Sequence, residues 1–417
     1  MKRFYDVSMA ELNSTIEQGK ASLLNQLSQD QVVLLDEFIV KVTHEAPEIE
    51  EKSRNNLVKW LVARNFDQED ALKSIKDDYV WRQESLIHFY INRVPVNANL
   101  KKYMPGGLFG RSKLGHPVFY SPIGLLDPEG IQHSFPYRDM INERLKVALT
   151  VKEECKKLSL ESAQIVDQFY MVIDLNGYSP NKFLVPDFLS VMKSIAQEMT
   201  CHFPENLAKV FIINGSKSFS IVFRIFSSIM TERIDINFMT PVCRSLVCWQ
   251  FLQPDNQIEE LLRYIDADQL PQAYGGLADE DNKINRPQKI PVESYHAREE
   301  KTLHEKGMNH LYVRRGTVSA ILIPVPKRKV DEKGLPMIKW SVHTKHRDIW
   351  IGLSFRAPKD TNKKILCPPL RLNTQYVADE GQYQCLWPGD YFLDLDNSGS
   401  LINGKDVYYK FSIQYPQ

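Results

Sequence analysis

Long hydrophobic runs are missing from this 417-residue chain. No window approaches about 18 consecutive apolar residues, which excludes a transmembrane helix. An excess of one charge is missing too. Lys plus Arg and Asp plus Glu stand at 52 each, which argues against a nucleic-acid binder that works through overall basicity. Cysteine is sparse. The six residues at 155, 201, 243, 248, 367 and 385 form no CxxC pair and have no His at zinc-like spacing. Such scattered cysteines are expected as free thiols in a reducing compartment, although Cys367 and Cys385 could face each other in a β-domain. Met1-Lys2-Arg3-Phe4-Tyr5-Asp6 runs into polar sequence without an apolar core, so no secretory signal is expected.

Catalytic signatures are also absent. There is no GxxxxGK[ST] loop, no GxGxxG after a strand, no HExxH and no GxSxG. Asn214-Gly215-Ser216-Lys217-Ser218 lies between a strand pattern and a helix pattern but lacks the second glycine of a nucleophile elbow. Ser216 and Ser218 therefore read as a helix start, where hydroxyls cap free N–H groups. His343 and His346 end a strand pattern with no carboxylate or cysteine partner. The expectation is a protein that is not an enzyme and uses no cofactor and no metal.

What is present is the balance of a globular protein, 43% apolar and 25% charged, over a length that suggests two to four domains. Residues 1–94 read as a helical module. Leu57 and Leu61, Val58 and Val62, then Ala71, Ile75 and Tyr79 recur at helical spacing. Asp67 before Gln68-Glu69-Asp70 is a candidate N-cap. Residues 95–277 alternate short unbroken apolar runs, at 118–120, 169–175 and 210–213, with helical stretches at 140–158 and 188–199. That alternation indicates α/β units around a mainly parallel sheet. Residues 278–300 are polar, contain Pro287 and Pro291, and read as a linker.

From 301 to 417 the period changes to two. Ile338, Trp340 and Val342 share one strand face, as do Ile349, Ile351, Leu353 and Phe355, then Tyr391, Leu393 and Leu395, then Val407, Tyr409, Phe411, Ile413 and Tyr415. The expectation is an antiparallel β-sandwich. This segment carries 18 Lys/Arg against 11 Asp/Glu. The run Lys327-Arg328-Lys329 is a candidate contact with anionic membranes. One helix pattern stands apart. In Phe219, Ile221, Val222, Phe223, Ile225, Phe226, Ile229 and Met230 the apolar residues go nearly all the way round. Such a helix must be covered on both sides, by the sheet on one and by protein or a bound lipid on the other.

Several of these segments resemble one family. Leu57-Val-Lys-Trp-Leu-Val-Ala-Arg-Asn-Phe-Asp67 through Trp81-Arg82 is similar to the N-terminal helical module of CRAL-TRIO proteins. His202-Phe-Pro-Glu-Asn-Leu207 resembles their YPE element, Ile213-Asn214 with Phe219 their INAPxxF segment, and Leu270-Pro-Gln-Ala-Tyr-Gly-Gly276 their closing LPxxxGG element. Trp387-Pro-Gly-Asp-Tyr391, Leu395-Asp-Asn-Ser398 and Lys405-Asp-Val407 resemble a GOLD domain. The order is that of cytosolic CRAL-TRIO/GOLD lipid-transfer proteins.

The resemblance implies a cytoplasmic, peripherally membrane-associated carrier of one lipid in a closed cavity under a mobile gate helix. Phe169, Met171, Ile173 and Ile212 are then candidate cavity walls. Phe219, Phe223, Phe226, Ile229 and Met230 are candidate gate residues, and Glu205 is a headgroup candidate. Phosphoinositide-binding members pair that Glu with a Lys after the gate helix. Here the position falls on Asn237 or, aligned through Pro241-Val242, on Leu246, with Arg244 nearby. Gly215-Ser216 replaces the family's Ala-Pro, and the second register implies an insertion around Thr231 to Met239. These departures shift the expected ligand from phosphatidylinositol toward a neutral lipid, such as a sterol precursor or tocopherol, with another phospholipid still open. The expected partners are that lipid, a transient membrane contact and a trafficking protein, without nucleic acid. The alternative is a trafficking or signalling adaptor whose lipid domain acts as a sensor while the sandwich recruits partners.

Overall fold

The structure, a computed structural model, describes residues 23–84, 97–179, 186–215, 249–296, 307–326, 335–346, 348–400 and 402–415. The helical module forms for local reasons. Ser28 opens α1 (Gln29–Glu45) with a capping box, its Oγ accepting from Gln31 N at 3.3 Å while Gln31 Oε1 accepts from Ser28 N at 3.0 Å. Two N–H groups that a helix start leaves open are thereby satisfied. Helices α2 (Arg54–Ala63) and α3 (Gln68–Glu84) follow. Asp67 caps α3, accepting from Glu69 N and Asp70 N, each at 3.0 Å. Leu57, Leu61, Ala71 and Ile75 then close on Leu35, Phe38 and Val42 of α1.

The second unit contains α4 (Ala98–Tyr103), β1 (Gly107–Arg111), β2 (Pro117–Ser121), α5 (Pro128–Ser134), α6 (Tyr137–Ser162) and β3 (Phe169–Asp174). It continues with α7 (Pro186–His202), β4 (Leu207–Ile213), β5 (Trp249–Phe251) and α8 (Gln257–Tyr264). The sheet order is β1-β2-β3-β4-β5. Only β1 runs antiparallel to its neighbour, so the sheet is mixed, with parallel pairing from β2 to β5. One face carries Tyr120, Tyr170, Val172, Phe211 and Ile213, packed under Leu261 and Tyr264 of α8. On the other, Phe119, Phe169 and Met171 meet Val151, Cys155 and Leu158 of α6. The polar stretch after Leu277 is strapped to this unit. Ile284 and Ile290 are 3% and 1% exposed, and Asn285 Nδ2 donates to the carbonyls of Lys101, Lys102 and Met104.

The last unit is a sandwich of β6 (Asn309–Val313), β7 (Val318–Val325), β8 (Met337–Thr344), β9 (Asp348–Arg356), β10 (Lys364–Asn373), β11 (Asp379–Gln384), β12 (Gly389–Asp396) and β13 (Lys405–Gln414). Its two sheets, ordered β10-β9-β12-β7 and β11-β8-β13-β6, are antiparallel throughout. The period-two residues Ile338, Trp340, Val342, Ile351, Leu353, Tyr391 and Leu393 fill the space between them. Cys367 and Cys385 are both free thiols, as are Cys155 and Cys201.

The sandwich core does not end at its own sheets. Tyr137, Met140, Ile141 and Leu145 of α6 and Phe188, Val191 and Ile195 of α7 belong to the same apolar cluster. Within this contact Arg138 of α6 grips Asp379 of β11 with two bonds, Nε to Oδ1 at 2.7 Å and Nη2 to Oδ2 at 3.1 Å. Trp340 Nε1 donates to the same carboxylate at 3.1 Å. Among the described residues no helix is long and apolar enough to cross a membrane.

Candidate lipid-binding face

Parallel register turns β3, β4 and β5 into an apolar grid. Met171 lies beside Val210 and Val210 beside Trp249; Ile173 lies beside Ile212 and Ile212 beside Phe251. Residues paired in this way point to the same side of a sheet, so two rows of three apolar side chains cover one face. The central pair is buried, Val210 at 0% and Ile212 at 2% exposed. The flanking Met171, Ile173, Trp249 and Phe251 are only half-buried. The alternate residues of β3, Tyr170 and Val172, are buried beneath α8 on the other side. Of the four wall candidates, Met171, Ile173 and Ile212 thus come together. Phe169 is on the same strand face but packs into the cluster beneath α6, beside Val151 and Cys155, whereas Met171 touches both that cluster and the grid.

The carboxyl ends of β3 and β4 are tied together. Asn214 takes the left-handed region, φ 55°, which asparagine tolerates well. Its Nδ2 donates to Asp174 Oδ1 at 2.8 Å, and its Oδ1 accepts from Gln257 Nε2 of α8 at 3.0 Å. Its backbone N donates to Gln257 Oε1 at 3.2 Å. This is a physical reason for the Ile213-Asn214 pair. The closing Leu270–Gly276 element has one as well. Gly275 has φ 88°, and a Cβ on Gly276 would lie 1.9 Å from the Leu270 carbonyl oxygen. The preceding Tyr274 stacks on Tyr120 of β2 at 5.0 Å, which seals the other face of the sheet.

The gate candidates Phe219, Phe223, Phe226, Ile229 and Met230 lie outside the described residues. So do Ser216, Ser218, Asn237, Arg244 and Leu246, and the basic run Lys327, Arg328 and Lys329.

Glu205 sits at the turn into β4 with φ 52°, and its carbonyl accepts from Gln168 Nε2 at 2.9 Å. Burial pushes its carboxyl up from 4.5 to about 7, against the opposing charge of Lys59. Sequence reasoning missed Lys59, whose signal is a lysine inside an otherwise apolar α2 run. It is 9% exposed, and its ammonium donates to the Asp167 carbonyl and to Asn206 Oδ1. Folding therefore favours protonated Glu205. That stabilisation is complete below about pH 4.5 and is lost as the pH rises through about 7. The displacement corresponds to about 3 kcal/mol. Urea unfolding of the Glu205→Gln protein between pH 5 and 8 is expected to lack a decline of that order which the unmodified chain shows. Parallel pH profiles for the two proteins would remove the buried carboxyl from the account.

One segment of the chain matches a known family. Residues 101–276 match the CRAL/TRIO domain family, a span that includes the whole β1–β5 sheet and the closing glycines. CRAL/TRIO domains bind hydrophobic lipid ligands, and the apolar grid lies inside the matched span. Relatives extend beyond the CRAL/TRIO domain. "Protein real-time" of Aedes aegypti is 24% identical over 83% of this chain and 52% of its own length. "Protein real-time" of Anopheles gambiae is 26% identical over 61% of this chain and 36% of its own. The chain thus spans about a third to a half of these two relatives. "Protein ctg-1" of Caenorhabditis elegans is 22% identical over 88% of this chain and 93% of its own length. Among solved structures, the crystal structure of Sfh5 aligns over 61% of this chain and 90% of its own with a TM-score of 0.44 and 15% identity.

Proposed function

We propose that this chain is a non-catalytic carrier that holds one hydrophobic lipid against the Met171–Ile173–Ile212 face and moves it between membranes. The supporting observation is the apolar grid on β3, β4 and β5, half-buried at both flanks, inside a domain of a lipid-binding family. A chain-like ligand gains roughly 0.8 kcal/mol for each buried CH₂, so a long tail needs an enclosed slot, and release needs a lid that opens. In this reading Phe219, Phe223, Phe226, Ile229 and Met230 form that lid. A neutral ligand is favoured because the sequence places no lysine where phosphoinositide binders have one.

The sandwich in this reading is GOLD-like, and Lys327, Arg328 and Lys329 give weak, reversible contact with anionic membranes. Each such charge is worth about 1 kcal/mol near an anionic surface and fades within a Debye length. The test is transfer of a fluorescent neutral lipid between vesicles by the full chain, whose sandwich shares its core with α6 and α7. Transfer to acceptors rich in anionic lipid is expected to exceed transfer to neutral ones, to fall as salt rises, and to drop when 327–329 are changed to Glu. Transfer that ignores both salt and the triple change would remove the basic run from the mechanism, and absence of any transfer would remove the carrier.

A further inference from the structure

A second concavity lies away from the apolar grid. An open cleft of about 1100 Å³ separates the helical module from the end of α6 and the start of β3. Its floor is formed by Asn55 and Lys59 of α2 and by Asp167. Asn55 and Lys59 stand one helical turn apart and so share a face. Three buried oxygen acceptors are left open there. Asn55 Oδ1, Asp167 Oδ1 and Asp167 Oδ2 have no hydrogen-bond partner in another described residue. The ammonium closest at hand does not fill the gap, because Lys59 donates to the main-chain carbonyl of Asp167 and to Asn206 Oδ1. A buried carboxylate that takes no donor from another residue is expensive to maintain, and native interiors rarely leave one so. Burial accordingly holds the Asp167 carboxyl above its ordinary range, with Lys59 opposing.

The rim has a different character. Leu160 at the end of α6 is 86% exposed and Ile165 is 48% exposed, and both line the cleft with Phe169. Lys152 on the rim is already paired with Glu51 at 3.1 Å. Three open acceptors beneath an apolar lip fit a ligand with N–H donors at one end and a hydrocarbon body at the other. We propose that this cleft is a second binding site, separate from the lipid face, which takes an amphiphilic primary amine with its ammonium on Asp167 and Asn55 and its chain along Leu160 and Ile165. The ammonium supplies three donors to the three open acceptors, and a carboxylate–ammonium contact is the stronger kind of hydrogen bond.

The test is calorimetric titration of the full chain with dodecylamine below its micelle-forming concentration, beside dodecyltrimethylammonium, which keeps the charge and the chain but has no N–H. Dodecylamine is expected to bind one to one, and the trimethylated analogue about 10- to 100-fold more weakly. Asp167→Asn, nearly isosteric, is expected to weaken dodecylamine by a similar factor with unchanged circular dichroism, and Asn55→Leu by less. Binding is also expected to persist when the protein is saturated with a neutral lipid. Equal affinity for the two amphiphiles, unchanged affinity in Asp167→Asn, or displacement of the amine by neutral lipid would each overturn the site. The last result would assign the amine to the β3–β5 face instead.

Discussion

Replacing Arg138 with Ala is expected to destabilise the protein by about 3–5 kcal/mol, the usual penalty when one partner of a buried ion pair is removed. Asp379 is 1% exposed and takes donors from Arg138 and from Trp340 Nε1. Without the guanidinium it becomes a buried carboxylate held by a single indole. The loss is expected to spread. Arg138 sits on α6, and α6 and α7 share one apolar cluster with the sandwich, so loosening the contact exposes the outer side of the lipid domain as well. Urea unfolding should show the loss, and hydrogen exchange should show faster opening in α6 and α7 as well as in β8 and β11. The paired replacement Arg138→Met with Asp379→Leu is expected to recover most of the stability, because well-packed apolar residues often replace a buried pair at little cost. If Arg138→Ala changes stability by less than about 1 kcal/mol, or leaves exchange in α6 and α7 untouched, the sandwich is an appended module and not part of one core.

A charge placed at neighbouring positions of β3 is expected to have opposite consequences. Val172 is 0% exposed and packed under α8. An Asp there has no partner, and the protein should not fold. Ile173, one residue on, is half-buried on the grid face. Ile173→Asp is expected to keep the helical circular dichroism signal while lipid loading falls by at least about tenfold, since a carboxylate facing an apolar ligand must be desolvated or neutralised. Met171→Asp should behave in the same way. If Ile173→Asp is folded and still loaded, the grid is not the lipid surface.

Much of this architecture was legible because periodicity records burial. Ile338, Trp340 and Val342 alternate with polar residues because only one face of β8 meets the core. The apolar run 169–173 lacks alternation because β3 is central and apolar on both faces. Other features left no periodic trace. Trp249-Gln250-Phe251 is too short a strand to read, yet it supplies the outer edge of the grid. Arg138 and Asp379 stand 241 residues apart, and nothing local marks either as a partner. The polar stretch after Leu277 reads as a tether by composition, but two isolated isoleucines, Ile284 and Ile290, and the side chain of Asn285 hold it against the domain. Phe169 shares a strand face with Met171 and Ile173, but it packs beneath α6 and not with Val210 and Ile212. At the site, the Ile213-Asn214 and Gly275-Gly276 pairs were visible as motifs. Their reasons, the tie to Asp174 and Gln257 and the pressure of the Leu270 carbonyl, depend on which strands lie together.

In the proposed reading the grid of Met171, Val210, Trp249, Ile173, Ile212 and Phe251 holds a lipid. That occupancy is tested most directly by mass spectrometry of the lipids extracted from the full chain purified from cells without detergent, quantified against protein. Close to one lipid per chain is expected, dominated by a neutral species and greatly reduced in the Ile173→Asp protein. An extract without stoichiometric lipid would contradict the carrier, and one dominated by phosphatidylinositol would contradict the ligand class drawn from the missing lysine.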